Sequence, residues 1–496
     1  MRFNIKLILA FSLIVISLWS SVFAKKKRAN IVFILADDLR ADAVGYAGNK
    51  IVKTPYLDHL AQNGIVFENA FVTTPICAVS RASILTGQYA IRNGVHDFKT
   101  PVNLKHTYSS VLRNSDYYTG FMGKWGVNAG NDEYMKSVAN SFDYWAGSYH
   151  QANFFHEETC RWVLEDGTQA NGAQMCDCPA DKRGKKGEDV RIGFNNMKKP
   201  IHLETVIIPK KVDAFLKGRD KAKPFCLSIS YKSPHGPWQD WDRRYQNLHH
   251  GENIPLKKTA TLEAAMKKPT FIQDSLESDR ARRWLKNGIQ RMYQDYYRLI
   301  AGLDNSINQV HKLLKHYGVD ENTVVIFMGD NGHFMGEHGL GGKWLLYEES
   351  IRVPCFIYDP RLPKSKRGEV SEEIVLNVDI FKTIAEIAGV KVSSEIQGKS
   401  MMQLVHHPDN SFRNGSFFEH HFSQKPPHVI VQSEGFRSKE WKYIRYTEEN
   451  PIVEELYHLS EDRLEEHNLA SHPEYKSILN QYREYWMNSR ASAKSN

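Results

Sequence analysis

The sequence predicts an α/β fold. A large mixed, mostly parallel sheet is sandwiched by helices, and a smaller C-terminal α+β unit with an antiparallel sheet follows it. Three observations predict this. Residues 30–36, 225–231, 323–329 and 353–358 are short apolar runs without polar alternation, as expected for strands covered on both faces. Stretches of helical periodicity fall between those runs, which layers helices over a sheet. After about Gly389 the pattern changes to shorter, half-polar runs closed by one helix.

Length and composition set the frame for this prediction. The chain has 496 residues, 41% hydrophobic and 25% charged. That is an ordinary globular composition, and it excludes a disordered, collagen-like or disulfide-dense chain. A net charge of +8 is too small to imply nucleic acid as partner, but it suits an anionic substrate. At about 100–200 residues per domain, two or three units are expected.

The elements follow in order. Arg2 and Lys6 precede an apolar run over residues 7–19, and Val22-Phe23-Ala24 ends it. This is the pattern of a secretory signal peptide over residues 1–24, with a product outside the cytoplasm, secreted or periplasmic, and not held in a membrane. Residues 25–389 then form the α/β domain and 390–496 the C-terminal unit. The run 30–36 is the first buried strand, and 55–63 reads as a helix opened by Pro55. Residues 172–199 are polar and basic, and form a loop or insertion. Over 290–317, Tyr293, Tyr297, Ile300, Ile307, Val310 and Leu314 recur at helical spacing. A helix over 378–388 is closed by Gly389. Beyond it, 415–421, 429–436 and 443–446 read as antiparallel strands, and 473–487 as the closing helix.

Six cysteines are present: Cys77, Cys160, Cys176, Cys178, Cys226 and Cys355. Cys226 and Cys355 sit in apolar strands, where a buried free thiol is expected. Cys160 could pair with Cys176 or Cys178, and the connectivity stays open.

Three groups of residues carry chemistry. Asp37-Asp38 directly follows the first strand, and Asp330-Asn331 follows the strand 323–329. Adjacent carboxylates repel unless a cation holds them. Ligands of open α/β sheets bind beyond the strands' carboxyl ends, so both pairs can converge there. Three carboxylates and an amide oxygen suit Ca2+ or Mg2+. The segment 73–87 (TTPICAVSRASILTG) places Cys77, Ser80 and Arg81 at the start of a helix, a setting that stabilises an anion. Lys124 in GKWG, His235 in SPHGPW and Lys343 in GGKW lie on loops at strand ends.

Taken together these residues resemble the formylglycine-dependent sulfatases of the alkaline phosphatase superfamily, in the style of bacterial polysaccharide sulfatases. The matching elements keep their order along nearly the whole mature chain. They are ADD at 36–38, CxxSRxxxLTG at 77–87, GKW at 123–125, SPHxPW at 233–238, DNGHxxGEHG at 330–339, GKWxxYExxxRVP at 342–354 and EELYxL at 454–459. The resemblance implies that Cys77 is oxidised to formylglycine, whose hydrate is the nucleophile, by a formylglycine-generating or radical sulfatase-maturating enzyme. It implies one Ca2+ held by Asp37, Asp38, Asp330, Asn331 and the modified Cys77. It also implies that Arg81 orients the nucleophile, that Lys124, His235 and Lys343 clamp the sulfate, and that His333 adds a substrate contact. His235 or Lys343 would protonate the leaving alcohol, and the ordinary pKa of histidine favours His235.

The chain departs from the family pattern at Val79, where Pro or Ala is usual, at Gln88, and at Gly126, where many members carry a histidine near the nucleophile. His96, His150 and His156 are candidates for that missing imidazole. The expected substrate is a sulfated glycan, an algal-type polysaccharide or oligosaccharide attacked exolytically. Aromatic residues in 144–155, with Trp238 and Trp241, are candidate sugar platforms. His420, His421 and Arg437 are candidates to reach the site from the C-terminal unit. The competing readings are a phosphonate monoester or phosphodiester hydrolase and a catalytically silent glycan-binding relative.

Overall fold

The computed structural model describes residues 27–128, 130–148, 151–160, 197–426 and 429–495. The signal-peptide reading of 1–24, Cys176, Cys178, His150 and most of the polar stretch 172–199 lie outside the described residues.

Eight strands build the main sheet. They are β1 (Asn30–Asp37), β2 (Ile65–Phe71), β3 (Tyr118–Lys124), β4 (Tyr144–Ser148), β5 (Phe225–Pro234), β6 (Thr323–Gly329), β7 (Cys355–Tyr358) and β8 (Glu369–Leu376). Their order across the sheet is β8-β2-β7-β6-β1-β5-β3-β4. β7 is antiparallel to both of its neighbours, and all other pairs are parallel. The sheet is thus mixed and mostly parallel, as predicted.

Both faces of β1 are buried, which is why its sequence shows no alternation. Ile31, Phe33 and Leu35 pack on one side with Tyr108, Phe381 and Ile384. Val32 and Ile34 pack on the other with Leu57, Phe215 and Ile300. The helices that supply these layers include α1 (Pro55–Gln62), α2 (Cys77–Thr86), α3 (Ile208–Gly218), α4 (Ile289–His316) and α5 (Asp379–Ala388). Pro55 starts α1, and Asp304 on α4 accepts the N–H groups of Tyr56 and Leu57 at 3.0 and 2.7 Å. Those donors have no partner within their own helix. α5 ends at Gly389, whose φ of 68° closes it.

The second sheet is antiparallel, in the order β9 (Gly415–His420), β10 (Ser433–Ser438), β11 (Trp441–Tyr446) and β12 (Val453–His458). On one face α6 (Lys476–Lys494) packs Leu479 and Tyr482 against Phe436, Tyr443 and Leu456. On the other, Phe418, Ile444, Tyr446 and Tyr457 meet Phe71, Tyr347 and Leu376 of the main body. Lys442 is buried there, 2.7 Å from both Glu348 and Glu465.

The expected strand 429–436 starts later, at Ser433. Val429 and Ile430 instead bridge to Ser275 and Gln424, and Ile430 packs with Ile76 and Trp344. Apolar character alone does not tell a pairing strand from a docked extended segment. Cys226 and Cys355 are buried free thiols, and burial pushes Cys226 up to about 12.

Candidate active site

The strand register brings the predicted residues to one edge. Ala36 pairs with Gly329 in β1–β6, so the chains leave the sheet side by side, one at Asp37 and the other at Asp330. Asp37 also pairs with Pro234 at the end of β5, one residue before His235. Lys124 is the last residue of β3. Asp38 turns away from its strand with φ 60°, a left-handed conformation that Asp tolerates better than most residues. That turn is held at both sides: Asp38 N–H donates to Asp330 Oδ1 at 3.1 Å, and Tyr296 Oη on α4 donates to the Asp38 carbonyl at 2.8 Å.

Three carboxylates and three cations interlock on this rim. Lys124 Nζ lies 2.5 Å from Asp37 Oδ2, and Lys343 Nζ 2.5 Å from Asp38 Oδ1. Arg81 Nε donates to Asp330 Oδ2 at 2.9 Å, while its Nη1 donates to the Lys124 carbonyl at 2.8 Å and to Ser230 Oγ. All six are at most 6% exposed, so their charges cancel where water cannot solvate them. Asn331 Nδ2 donates to Asp38 Oδ1 at 2.6 Å, and its Oδ1 lies 3.4 Å from Lys343 Nζ.

The shifts follow from these neighbours. Burial opposes ionisation of Asp37, but Lys124 and His235 outweigh it and hold the carboxyl at about 2. For Asp38 burial is likewise overcome, chiefly by Lys343, and its carboxyl stays well below the usual range. Burial beside Asp37 raises Asp330 to about 7 despite Arg81.

The residues present fit a hard divalent cation. Asp37 Oδ1 is buried without a hydrogen-bond partner. One ligand atom each of Asp37, Asp38 and His235 lies within 4.8 Å of the other two. Asp330 and Asn331 add oxygen donors beside them, and an oxygen-rich set of this kind suits Ca2+ or Mg2+.

Cys77 is the first residue of α2, buried at 4% exposed, and within electrostatic reach of Arg81 and Lys343. It opens into a cleft of about 520 Å³ lined also by Phe98, Lys99, Lys124, Gly126, Asn128, Asn131 and Gln151. His235 Nε2 is 3.7 Å from Asp38 Oδ2 and 3.4 Å from Gln151 Nε2, and its Nδ1 is fixed by the Gly236 carbonyl at 2.8 Å. Glu204 Oε1 accepts the N–H groups of Lys232 and Ser233 at 2.8 Å each, which anchors the turn carrying His235.

His333 stays beside the rim, within electrostatic reach of Asp38, Lys343 and His235, with its ring against Trp238 and Trp284, and burial lowers it to about 3. Other expected residues fall elsewhere. His156 hydrogen-bonds the Asn153 carbonyl at 3.0 Å, and His96 lies against His421. Gly126 has φ +81°, and a Cβ there would stand 3.1 Å from Arg81 Cδ and 3.2 Å from Lys124 Cε. Any side chain there needs a strained backbone and a small shift of these two side chains.

Trp145 stacks on Phe121 in the core, and Trp241 Nε1 donates to Asp295 at 2.7 Å. These aromatics serve packing. Arg437 is buried over Phe71 and pairs with Glu348, and it does not line the cleft. Sequence reasoning missed Ser230, Gln151 and Glu204. For Ser230 a signal was present, because Ser228 and Ser230 recur on one face of the otherwise apolar run 225–231.

The comparisons with known proteins agree with this architecture. Residues 29–390 match the Sulfatase family model, and residues 336–492 match the model described as N-sulphoglucosamine sulphohydrolase, C-terminal. The chain therefore belongs to the sulfatase family, within the alkaline phosphatase superfamily, and it is a sulfuric ester hydrolase. It is similar to an arylsulfatase of Clostridium perfringens, 28% identical over 92% of this chain and 93% of the relative. An N-acetylglucosamine-6-O-sulfatase of Bacteroides thetaiotaomicron is 27% identical over 90% of this chain and 84% of the relative. In fold, the phosphonate monoester hydrolase of Agrobacterium radiobacter superposes with a TM-score of 0.76 at 20% identity, over 94% of this chain and 96% of that one.

Proposed function

We propose that this enzyme is exported and removes sulfate exolytically from a sulfated carbohydrate, with Cys77 matured to formylglycine. The observation that carries the reading is the buried, charge-balanced rim with Cys77 heading a helix beside it. The similarity to an N-acetylglucosamine-6-O-sulfatase supports the carbohydrate class, and the apolar segment after Arg2 and Lys6 supports export.

Asp37, Asp38, Asp330 and Asn331 would hold the Ca2+, which supplies a Lewis acid and template for a sulfate oxygen. Formylglycine at position 77, as its hydrate, would supply a nucleophilic hydroxyl and a second hydroxyl for release of sulfate. The chain's own residues do the rest. Arg81, locked by Asp330 and Ser230, faces residue 77 and stabilises negative charge on its oxygen. Lys124 and Lys343 present ammonium groups to the sulfate oxygens, where charge shifts in the transition state. His235, once protonated on both ring nitrogens, would give its Nε2 proton to the bridging oxygen of the leaving alcohol, while its Nδ1–H stays with the Gly236 carbonyl.

The test is inorganic sulfate release from a panel of sulfated amino-sugar and algal oligosaccharides, using protein co-expressed with a maturating enzyme. Sulfate release by the wild type and none by Cys77→Ala is expected, with the residue-77 peptide about 18 Da lighter than its cysteine form. The superposition with a phosphonate monoester hydrolase favours one second reading. Matured protein that cleaves phenylphosphonate esters and releases no sulfate from any panel member would establish that reading instead. An unmodified Cys77 with glycan binding alone would point to a silent relative.

A further inference from the structure

We propose that His96, Glu419 and His421 form a second metal site, for Zn2+ or a similar borderline transition ion, apart from the rim. One ligand atom of each residue lies within 4.8 Å of the other two. His421 Nδ1 stands 3.6 Å from Glu419 Oε2. That separation is too long for a good hydrogen bond. It is close to the roughly 3.4 Å edge between N and O ligands of a tetrahedral zinc.

Two further observations point to a cation. Glu419 is fully buried, and its Oε2 has no hydrogen-bond partner, whereas Oε1 accepts the Ile91 N–H at 3.1 Å. A buried carboxylate oxygen without a donor is costly, and burial pushes this carboxyl up to about 7. A bound cation removes that cost. Secondly, His421 Nε2 is 2.8 Å from Glu434 Oε1. Glu434 is itself held by Arg490 and Trp486, each at 2.9 Å. A histidine that gives one ring N–H to a carboxylate offers its other nitrogen as a lone pair, the arrangement that orients metal-bound imidazoles. His420 is fully buried and stands outside the group, as alternation along an extended chain requires.

The location gives the site a consequence. His96 lies on the loop that also carries Phe98, and Phe98 lines the cleft beside Cys77. Phe98 meets Phe422 edge-on at 5.5 Å. An ion on His96, Glu419 and His421 would tie this loop of the main body to the end of β9 and fix one wall of the cleft. Three protein ligands leave the fourth position to water. None of this depends on the sulfatase reading of the rim.

The test is Zn2+ stoichiometry by equilibrium dialysis and elemental analysis on full-length Cys77→Ala protein, chelator-stripped and then supplied with Ca2+. That background removes the rim thiol as a ligand. One Zn2+ is expected in this protein and after adding Asp38→Asn, and none after adding His96→Ala or His421→Ala. Co2+ in its place should give the visible absorption of a tetrahedral field. Glu434→Gln should weaken binding by about 10–100-fold. His96 is a half-buried loop residue, so its variant stays informative if His421→Ala fails to fold. Equal Zn2+ binding with and without His96, loss of Zn2+ in Asp38→Asn, or no binding at all, as for a plain His421 ion pair between two carboxylates, would overturn the proposal.

Discussion

Gly126 shows what a single missing methyl group does on the rim. Its positive φ and the Arg81 and Lys124 contacts mean that alanine there strains the backbone by about 1–2 kcal/mol. It also displaces both cations by a few tenths of an ångström. Gly126→Ala should fold, with its melting temperature lowered, and lose about 10–100-fold in kcat on a glycan sulfate; steady-state kinetics check this. His235 makes a different prediction. His235→Gln should lose about 10²–10⁴-fold on alcohol-type leaving groups and far less on 4-nitrophenyl sulfate, whose leaving group needs no proton. Equal losses on both substrates would remove His235 as proton donor. At this scale the carboxylates were legible because Asp37-Asp38 and Asp330-Asn331 each follow a buried strand, and two matching contexts can converge on one edge. Glu204 was not, since a buried glutamate names no partner until the fold supplies one.

At the scale of elements, α4 acts as more than a cover for the sheet. Its Tyr296 hydroxyl donates to the Asp38 carbonyl and accepts the Arg40 N–H at 3.1 Å. Tyr296→Phe leaves two buried backbone groups unpaired and should cost about 1–3 kcal/mol. By loosening the Asp38 turn it should also weaken Ca2+ binding, as calorimetry would show. The second sheet is fastened comparably. Lys442→Ala leaves Glu348 and Glu465 without their shared cation, and about 3–5 kcal/mol of stability should disappear in urea titrations. Strands β1, β5 and β6 were readable from their unbroken apolar runs. The direction of β7 was not, because an apolar strand buried on both faces looks the same whichever way it runs. β8, with its Glu-rich start (EVSEEIVL), hid behind the opposite difficulty.

The whole molecule responds to acid through histidines that it buries uncharged. Burial lowers His202 to about 4 and His420 to about 3. Below the ordinary histidine value near 6.5, the unfolded chain binds these two protons and the folded chain does not. Stability therefore holds at neutral pH and falls as the pH drops from about 6.5 toward 4. Each histidine contributes up to about 1.4 kcal/mol per pH unit. Urea midpoints between pH 7 and 4.5 should show this slope, and His420→Leu should flatten it by about one proton. Glycine, aspartate and histidine thus bear on quite separate properties of one chain.

The reversed strand β7 shapes how that chain comes together. Because it runs against β6, residues 330–354 leave and re-enter the sheet at the same edge, so Asp330, Asn331 and Lys343 never cross to the far side. Pairing β6 with β7 closes the loop 330–354, which costs less chain entropy than the longer closure that brings in Asp38. Asp37 and Asp38 must instead find this unit from far along the chain, Asp38 and Asp330 being 292 positions apart. The rim is therefore complete only once the N-terminal strand has joined the β6–β7 pair.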